Sequence, residues 1–436
     1  MSHPLRVAIA GLGTVGTGVV RLIETNRDMI AARAGRPVEI VAVTARDRSR
    51  QRPVDLDRYA WADDTLALAA RPDVDVVVEL IGGADGAALD LARAALTQGK
   101  GLVTANKAMV AHHGLDLAET AAASGAPFAF EAAVAGGIPV VKGLREGTAA
   151  NALTRIYGIL NGTSNFVLSE MERTGAEFGA MLAEAQAKGF AEADPSFDID
   201  GVDAAHKLAI LAAIGFGTRI DFAAVRTEGI ARVRASDIAQ ADTLGYVVRL
   251  VGVAALEPAA DSTSRLLQRV RPCLVPFRHP LAAVTGATNA VVAEGDFSGR
   301  LLFQGAGAGD RPTASAVVAD LIEIARGQCG APFSVPVSAL AACPPADPGD
   351  RIGRDYIRFT VADRPGVLAE ITAAMRDADV SIESLIQRGR AAEGEAVQVA
   401  MVTHEGPERC VAMALELLRD TPSLTEAPLV MPILSD

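Results

Sequence analysis

Short apolar runs alternate with helical patterns along the amino-terminal part of the chain. The apolar runs occupy 5–10, 38–45, 74–80 and 101–103, and the helical patterns occupy 17–25 and 87–98. The run VDVVVEL at 74–80 is apolar almost throughout, which is typical of a parallel strand buried on both faces. This alternation of strand and helix predicts an α/β fold that begins with a parallel sheet.

The middle of the chain mixes strand-like runs with helical patterns. The strand-like runs occupy 128–131, 155–160, 219–222, 244–256, 264–275 and 290–294. Helices are predicted from the polar turn at 161–165 to about Arg173, and over 312–326 after the small-residue run at 305–309. We expect an open mixed sheet in an α+β domain that serves catalysis and dimerisation.

The stretch CPPADPGD at 343–350 has the composition of a linker. Strands at 356–361, 380–388 and 396–404 and helices at 367–377 and 407–419 then predict a separate ferredoxin-like βαββαβ unit. This unit resembles the ACT domain, a small regulatory module that binds amino acids. Its loop-to-helix turn contains Asp363 and Gly366, and an amino acid could dock against the backbone there.

Composition excludes several classes of protein. The 436 residues carry a net charge of −12 with no basic patch, which argues against a nucleic-acid partner. The four cysteines are scattered without metal-ligand spacing, as expected of reduced thiols. We find no signal peptide and no apolar run of the ~18 residues that a membrane span needs. We therefore expect a soluble, cytoplasmic protein with no membrane partner.

A glycine fingerprint joins the first strand to the first helix. Gly11, Gly13 and Gly16 form GxGxxG, with Thr14 and Val15 between the last two. Strand, fingerprint and helix in this order predict a Rossmann-type dinucleotide site, in which the helix amino terminus faces the pyrophosphate. A structural turn is the alternative.

Two later positions extend the predicted cofactor crevice. Arg46 follows the second strand and suits the 2′-phosphate of NADP, whereas the adjacent Asp47 leaves NAD open. Arg46 could equally be a solvated loop cation. Thr104 and Lys107 follow the strand at 101–103, where polar groups point into the crevice of a parallel sheet. Lys107 is thus a candidate for contact with the nicotinamide end or the substrate.

The stretch 185–207 concentrates charge around a helix. Its glycines and Pro195 predict an irregular loop over 189–200 before that helix begins. Asp203 and Lys207 lie four residues apart and share one helix face. A surface ion pair is the plain alternative, but the helix is apolar on most sides, which favours burial and a purpose for the charges. The chain has only five lysines, at 100, 107, 142, 188 and 207. Unlike arginine, a buried lysine can lose its proton, which directs attention to Lys107 and Lys207.

Two further polar features leave alternatives open. Glu131 precedes a glycine-rich turn, where it could help backbone carbonyls to hold a monovalent cation or could cap the next helix. The turn NGTSN at 161–165 contains Gly162 and Thr163, and its polar residues suit either helix capping or ligand binding.

With these pieces in place, the chain resembles the monofunctional bacterial homoserine dehydrogenases over essentially its full length. The motifs that carry the resemblance are GLGTVG (11–16), TANKA (104–108), EAAVAGGIP (131–139), GILNGTSNF (158–166), GFAEADPSFDIDGVDAAHK (189–207) and GAGAGDRPTASAV (305–317). One departure is Asp310, where small residues are commoner. The resemblance implies reversible oxidation of L-homoserine to L-aspartate 4-semialdehyde with NADP or NAD.

The resemblance also implies roles for individual residues. Lys207 would be the acid–base group, and Lys107 would assist near the nicotinamide. Glu192 and Asp203 would bind the amino end of the substrate and orient the lysine, with Asp198 in support. Cofactor contacts would include Gly189 and Gly307 besides the fingerprint, Arg46 and Lys107. A Na⁺ or K⁺ site would comprise Glu131 and the carbonyls of Val134, Gly136 and Ile138.

The implied organisation is a dinucleotide-binding domain at 1–131, completed by about 305–340. A catalytic and dimerisation domain at 132–304, a linker at 341–353 and an ACT domain at 354–436 follow. The ACT domain implies feedback control, with L-threonine as effector, or a role only in assembling a homodimer or homotetramer. Two rivals are aspartate-semialdehyde dehydrogenase, which needs an activated cysteine that we do not find, and a non-catalytic amino-acid sensor.

Overall fold

The computed structural model describes residues 3–258, 263–387 and 396–435. A parallel sheet lies at the amino-terminal end, a mixed sheet in the middle and a four-stranded antiparallel sheet at the carboxyl end. The predicted α/β class and the succession of the three sheets are confirmed.

Six parallel strands form the first sheet, in the order β3-β2-β1-β4-β5-β6. They are β1 (Leu5–Ala10), β2 (Val38–Thr44), β3 (Ala60–Trp61), β4 (Val76–Glu79), β5 (Gly101–Thr104) and β6 (Phe128–Ala129). The helices of this part are α1 (Thr14–Thr25), α2 (Arg27–Ala34), α3 (Thr65–Ala70), α4 (Ala87–Thr97) and α5 (Lys107–Ser124). Helix α1 starts earlier than predicted because Gly13 takes its N-cap position, so the fingerprint itself forms the first turn.

The second sheet has the order β12-β11-β7-β9-β10-β8 and is antiparallel except for β8 against β10. Its strands are β7 (Leu153–Ile159), β8 (Arg226–Thr227), β9 (Tyr246–Pro258), β10 (Ser264–Pro276), β11 (Thr288–Gly295) and β12 (Gly299–Ala306). The helices of this part are α6 (Val140–Lys142), continued by a π-helical turn (Gly143–Gly147), α7 (Gly162–Thr174), α8 (Phe178–Ala187), α9 (Ser196–Ile199), α10 (Val202–Phe216) and α11 (Ala235–Thr243).

Three local predictions were wrong. The run at 219–222 is not a strand, because Phe222 packs its ring against His206 instead of pairing in the sheet. Strand β12 was missed because it alternates between exposed and half-buried residues at the sheet edge and has a weak apolar pattern. The loop at 189–200 was expected to be irregular throughout, but it contains the single turn of α9.

Helix α10 lies in the largest hydrophobic core and is buried without a break from Asp203 to Ile214. The chain then returns to the first sheet through α12 (Asp310–Arg326), which packs on α1. The carbonyl oxygen of Asp310 lies 2.8 Å from where a Cβ on Gly18 would stand, so the two helices are in close contact. The Asp310 carboxylate also pairs with Arg21 of α1 at 2.5 Å, which accounts for the acidic residue at this position.

The carboxyl-terminal part forms a sheet in the order β15-β16-β14-β18, with two helices. Its elements are β13 (Ile352–Gly353), β14 (Asp355–Ala362), α13 (Val367–Asp377), β15 (Ile382–Gln387), β16 (Ala396–Thr403), β17 (Gly406–Pro407), α14 (Glu408–Leu418) and β18 (Leu429–Pro432). This is the predicted βαββαβ arrangement, although Arg388, the predicted end of one strand, lies outside the described residues.

Candidate active site

Two lysines share one buried carboxylate. Lys207 Nζ donates to Asp203 Oδ2 at 2.7 Å and to the carbonyl oxygen of Leu160 at 2.7 Å. Lys107 Nζ lies 3.0 Å from the other oxygen, Oδ1 of Asp203. Lys107 begins α5 of the first sheet, whereas Asp203 and Lys207 occupy the first turns of α10. The site therefore forms where the cofactor sheet meets the central helix.

The surface ion-pair alternative is wrong, because the side chains of Lys207 and Asp203 are only 10% and 6% exposed. Burial lowers the pKa of Lys207, and the nearby charge of Lys107 lowers it further. Burial alone would raise the pKa of Asp203, but Lys207 and Lys107 outweigh it and hold that pKa well below its usual range. The site therefore favours the charged form of Asp203, whereas burial makes the charged form of Lys207 less favourable than in an ordinary lysine.

Asn161 connects the two aspartates of the site. Its Nδ2 donates to Asp198 Oδ1 and to Asp203 Oδ2, both at 2.8 Å, and its Oδ1 accepts from the Ser164 amide at the start of α7. The polar turn therefore both caps a helix and joins the carboxylates. Sequence reasoning did not single out Asn161, although it belongs to the NGTSN turn. Burial raises the pKa of the Asp198 carboxyl, so a cationic partner there would be favoured.

The other predicted substrate residues lie around this cluster. The Thr163 hydroxyl donates to the Phe190 carbonyl at 2.7 Å, which ties the start of α7 to the loop before α9. Gly162 is the first residue of α7, and a Cβ there would lie 2.9 Å from the Ala287 carbonyl oxygen. Glu192 is exposed, and no described contact joins its carboxylate to Asp203 or Asp198.

The fingerprint glycines have distinct geometric requirements. Gly11 has φ +101°, and a Cβ there would lie 2.4 Å from the Leu80 carbonyl oxygen. A Cβ on Gly16 would lie 2.0 Å from the Gly11 carbonyl oxygen. In contrast, within the described part of the chain a Cβ on Gly13 would have no atom within 4 Å apart from its chain neighbours, and no side chain there caps the amino terminus of α1. Thr14 and Val15 complete a turn whose free amides suit a pyrophosphate.

Arginines surround the end of β2. Arg46 is exposed, as a 2′-phosphate ligand would be. Arg52, which sequence reasoning missed, donates from Nε to the Leu12 carbonyl at 3.0 Å and stacks on Trp61. The Asp47 carboxylate accepts from the amide and hydroxyl of Ser49 and is thereby held in a local turn.

Thr104 is fully buried, and its hydroxyl donates to Glu79 at the end of β4 at 2.6 Å. Gly189 has φ +75° in an exposed loop with open space around it. Gly307 lies against Asn289, where a Cβ would stand 1.7 Å from the amide oxygen. These three predicted cofactor residues thus occupy quite different surroundings.

The Glu131 carboxylate caps α6, accepting from the amides of Val141 and Lys142 at 2.9 Å each. Burial raises the pKa of Glu131 to about 7, and the neighbouring Asp320 contributes to the rise. In the glycine-rich turn that follows, Ala135 and Gly136 have φ of 55° and 53°. The contacts of the Glu131 carboxylate therefore support the helix-capping alternative.

Among the described residues, no group of three or more His, Cys, Asp or Glu side chains could hold a metal ion. The predicted regulatory turn lies at the start of α13, where Gly366 takes the N-cap position with φ +98° and Asp363 is half-buried. Arg364 in this turn donates to Ser423 at 2.7 Å.

Comparison with known proteins shows which family the chain belongs to. The homoserine dehydrogenase NAD-binding domain model matches residues 11–131, the homoserine dehydrogenase model matches 139–322, and the ACT domain model matches 356–409. The chain is 42% identical over 430 residues to a homoserine dehydrogenase of Pseudomonas aeruginosa, covering 95% of each chain. It is 41% identical to one of Neisseria gonorrhoeae, covering 98% of each.

A solved structure agrees over the whole chain. The crystal structure of a homoserine dehydrogenase from Thiobacillus denitrificans has a TM-score of 0.90 and 39% identity, covering 99% of each chain. Fold, central motif and full-length identity all lead to one assignment. The chain belongs to the homoserine dehydrogenase family and is an NAD(P)-dependent oxidoreductase.

Proposed function

We propose that Lys207 is the acid–base group in the reversible NAD(P)-dependent oxidation of L-homoserine to L-aspartate 4-semialdehyde. The observation that carries this proposal is the buried Lys207–Asp203–Lys107 arrangement. The nicotinamide supplies the hydride acceptor. As hydride leaves the carbinol carbon, the hydroxyl must lose its proton, and an amine within hydrogen-bond reach accepts it. Burial lowers the pKa of Lys207, which makes its neutral form more accessible than that of an ordinary lysine.

Asp203 and Lys107 have supporting roles in this proposal. Asp203 fixes Lys207 Nζ, while Lys107 is more open, with 34% of its side chain exposed. Lys107 therefore suits contact with the substrate or nicotinamide end of the crevice. Asp198 and Glu192, with Gly162 and Thr163 at the start of α7, would bind the substrate's ammonium group.

The test is formation of NAD(P)H with L-homoserine by the wild-type protein, Lys207→Ala, Lys107→Ala and Lys188→Ala. Lys188 is an exposed lysine paired with Glu184, so it controls for the loss of a lysine as such. We expect Lys207→Ala to lose about 10²- to 10⁴-fold in kcat, the range of general acid–base catalysis. Full activity of Lys207→Ala would refute the assignment, and loss only in Lys107→Ala would transfer the role to that residue.

The finer cofactor assignments are also proposals. The pyrophosphate would be bound by Gly11, Gly13, Thr14, Val15 and Gly16. The other proposed contacts with the cofactor are Arg46, Thr104, Lys107, Gly189 and Gly307. Exposed Arg46, with Arg52 beside it, favours acceptance of NADP as well as NAD. A Na⁺ or K⁺ ion would bind the carbonyls of Val134, Gly136 and Ile138 with Glu131, whose carboxylate has lone pairs beyond the two that accept amides.

The proposed domains are 1–131 with 305–340, 132–304 and 354–436, joined by 341–353. L-threonine would bind the ACT domain near Asp363 and Gly366. A homodimer or homotetramer would bury the edge strand β12 and nearby apolar side chains such as Phe297 and Leu302, which are 89% and 42% exposed.

The four free cysteines suit the reducing cytoplasm. In the part of the chain that the structure describes, no helix has the length and apolar character needed to cross a bilayer.

A further inference from the structure

Glu408, the first residue of α14, joins the ACT domain to the catalytic sheet. Its carboxylate accepts from Arg269 of β10 at 2.8 and 2.9 Å and from Arg351 at 2.7 Å. Only 13% of the Glu408 side chain is exposed. Charge-assisted bonds in such a shielded position are strong and fix geometry. A displacement of α14 would therefore act directly on β10.

Strand β10 also contacts a second carboxylate, that of Glu228. Arg271 of β10 lies 3.2 Å from Glu228 and 4.0 Å from Glu408, so its guanidinium stands between the two acids. The amide of Glu228 donates to the Val270 carbonyl at 2.8 Å, directly after β8 pairs with β10. Glu228 is thus held to β10 through both its backbone and its side chain.

The residues that follow Glu228 pack against the end of α9. The Ile230 amide donates to the Ile199 carbonyl at 3.0 Å. A Cβ on Gly229 would lie 2.5 Å from the Ile199 carbonyl oxygen and 2.8 Å from Cα of Asp200. The two backbones are therefore in direct contact, and the segment 228–230 cannot move toward α9 without displacing it.

Helix α9 carries Asp198, whose carboxylate is joined through Asn161 to Asp203. We propose that Glu408 is a positioning residue for Asp198: it holds β10 and the segment 228–230 so that α9 presents this carboxylate to the substrate. The ACT domain is then a structural part of the homoserine site. This inference rests on the proposed role of Asp198 in binding the substrate.

The proposed role of Glu408 predicts an effect on KM for the substrate and none on KM for the cofactor. The contacts run from α14 to the aspartates and do not include the fingerprint glycines, which are fixed by β4 and their own turn. Disturbing Glu408 should therefore raise KM for L-homoserine while KM for the cofactor stays unchanged. The ACT domain should remain docked, since Arg358 still pairs with buried Asp237 and Arg234 with Glu426.

The experiment compares steady-state kinetics of Glu408→Gln with Glu416→Gln in the full chain. Glu416 lies on the same helix and pairs with the exposed Arg419, so its substitution changes the charge equally. We expect Glu408→Gln to raise KM for L-homoserine about fivefold, within the range found for remote coupled residues. Its kcat should change less than about twofold, and Glu416→Gln should resemble the wild type.

A second variant keeps the proposal testable in case Glu408→Gln fails to fold. Glu228→Gln removes the charge that pairs with Arg271 and should raise the same KM. Gly229→Ala and the double variant Glu408→Gln/Gly229→Ala complete a double-mutant cycle with Glu408→Gln, and the KM effects should be non-additive because both residues act through α9. Unchanged KM in both single glutamine variants, or an equal rise for substrate and cofactor, would overturn the inference.

Asp198→Asn separates this inference from the role on which it rests. If Asp198→Asn leaves KM for L-homoserine unchanged, the proposed substrate role of Asp198 fails, and the Glu408 inference falls with it. If Asp198→Asn raises KM but Glu408→Gln and Glu228→Gln do not, only the inference about Glu408 is refuted.

Discussion

Lys107 and Asp203 form an ion pair of 3.0 Å although one begins a helix of the cofactor sheet and the other belongs to the central helix of the catalytic part. This contact joins the two parts beside Lys207, the proposed acid–base group. It also leaves Asp203 as the counter-ion of two amines, which makes its charge decisive for the site.

Removing that charge should alter the pH dependence of catalysis. Asp203 raises the pKa of Lys207, so Asp203→Asn should lower that pKa further. Oxidation requires the neutral amine, and the acidic limb of the kcat/KM profile should therefore move to lower pH. We also expect kcat to fall, because Lys207 loses its orienting partner. The measurement is kcat/KM for L-homoserine from pH 6 to 10, with exposed Asp194→Asn as control. An unshifted limb would contradict the prediction.

Asn161→Ala should damage both stability and substrate binding. Loss of the N-cap of α7 should lower the free energy of unfolding by about 1 kcal/mol. The substitution also disconnects Asp198 from Asp203, and KM for L-homoserine should rise. Asp64→Ala serves as control because Asp64 caps α3 through the Leu66 amide. That variant should lose stability alone. Denaturant unfolding and steady-state kinetics measure the two effects, and a normal KM in Asn161→Ala would refute the linking role.

Glu131 should make stability depend on pH. Its pKa is about 7 in the folded protein against an ordinary value of 4.5. The folded state therefore holds this proton more tightly than the unfolded state does. Stability is greatest below about pH 4.5 with respect to this group and is lost as pH rises toward 7. Glu131→Gln should flatten the decline in Tm between pH 5 and 7. Parallel curves for the two proteins would contradict the prediction.

Arg46→Ala should shift the choice of cofactor. If Arg46 pairs with the 2′-phosphate, its removal should lower kcat/KM for NADP about tenfold, the scale of a lost charge-assisted bond, and leave that for NAD nearly unchanged. Exposed Arg27→Ala on α2 controls for the lost positive charge. Equal effects on both cofactors would identify Arg46 as a solvated loop cation.

Much of the fold is encoded locally. The continuous apolar run at β4 predicted a buried strand, and the helix at Val367–Asp377 was predicted at its observed limits. Edge strand β12 escaped because half-buried strands have weak patterns. The run at 219–222 was wrongly predicted to be a strand. Its apolar residue Phe222 packs on His206, and a local sequence pattern cannot distinguish such a packing residue from one in a strand.

By itself, the sequence determined the glycine turn, the alternation of strand and helix in the first sheet, and the placement of Asp203 and Lys207 on one helix face. Each of these depends on backbone preference or periodicity over a few residues. Only the tertiary structure decided that Lys107 joins this pair, that Asn161 connects the aspartates and that Glu408 lies against β10. Those contacts join residues far apart in the chain, and their geometry is set by how whole elements pack.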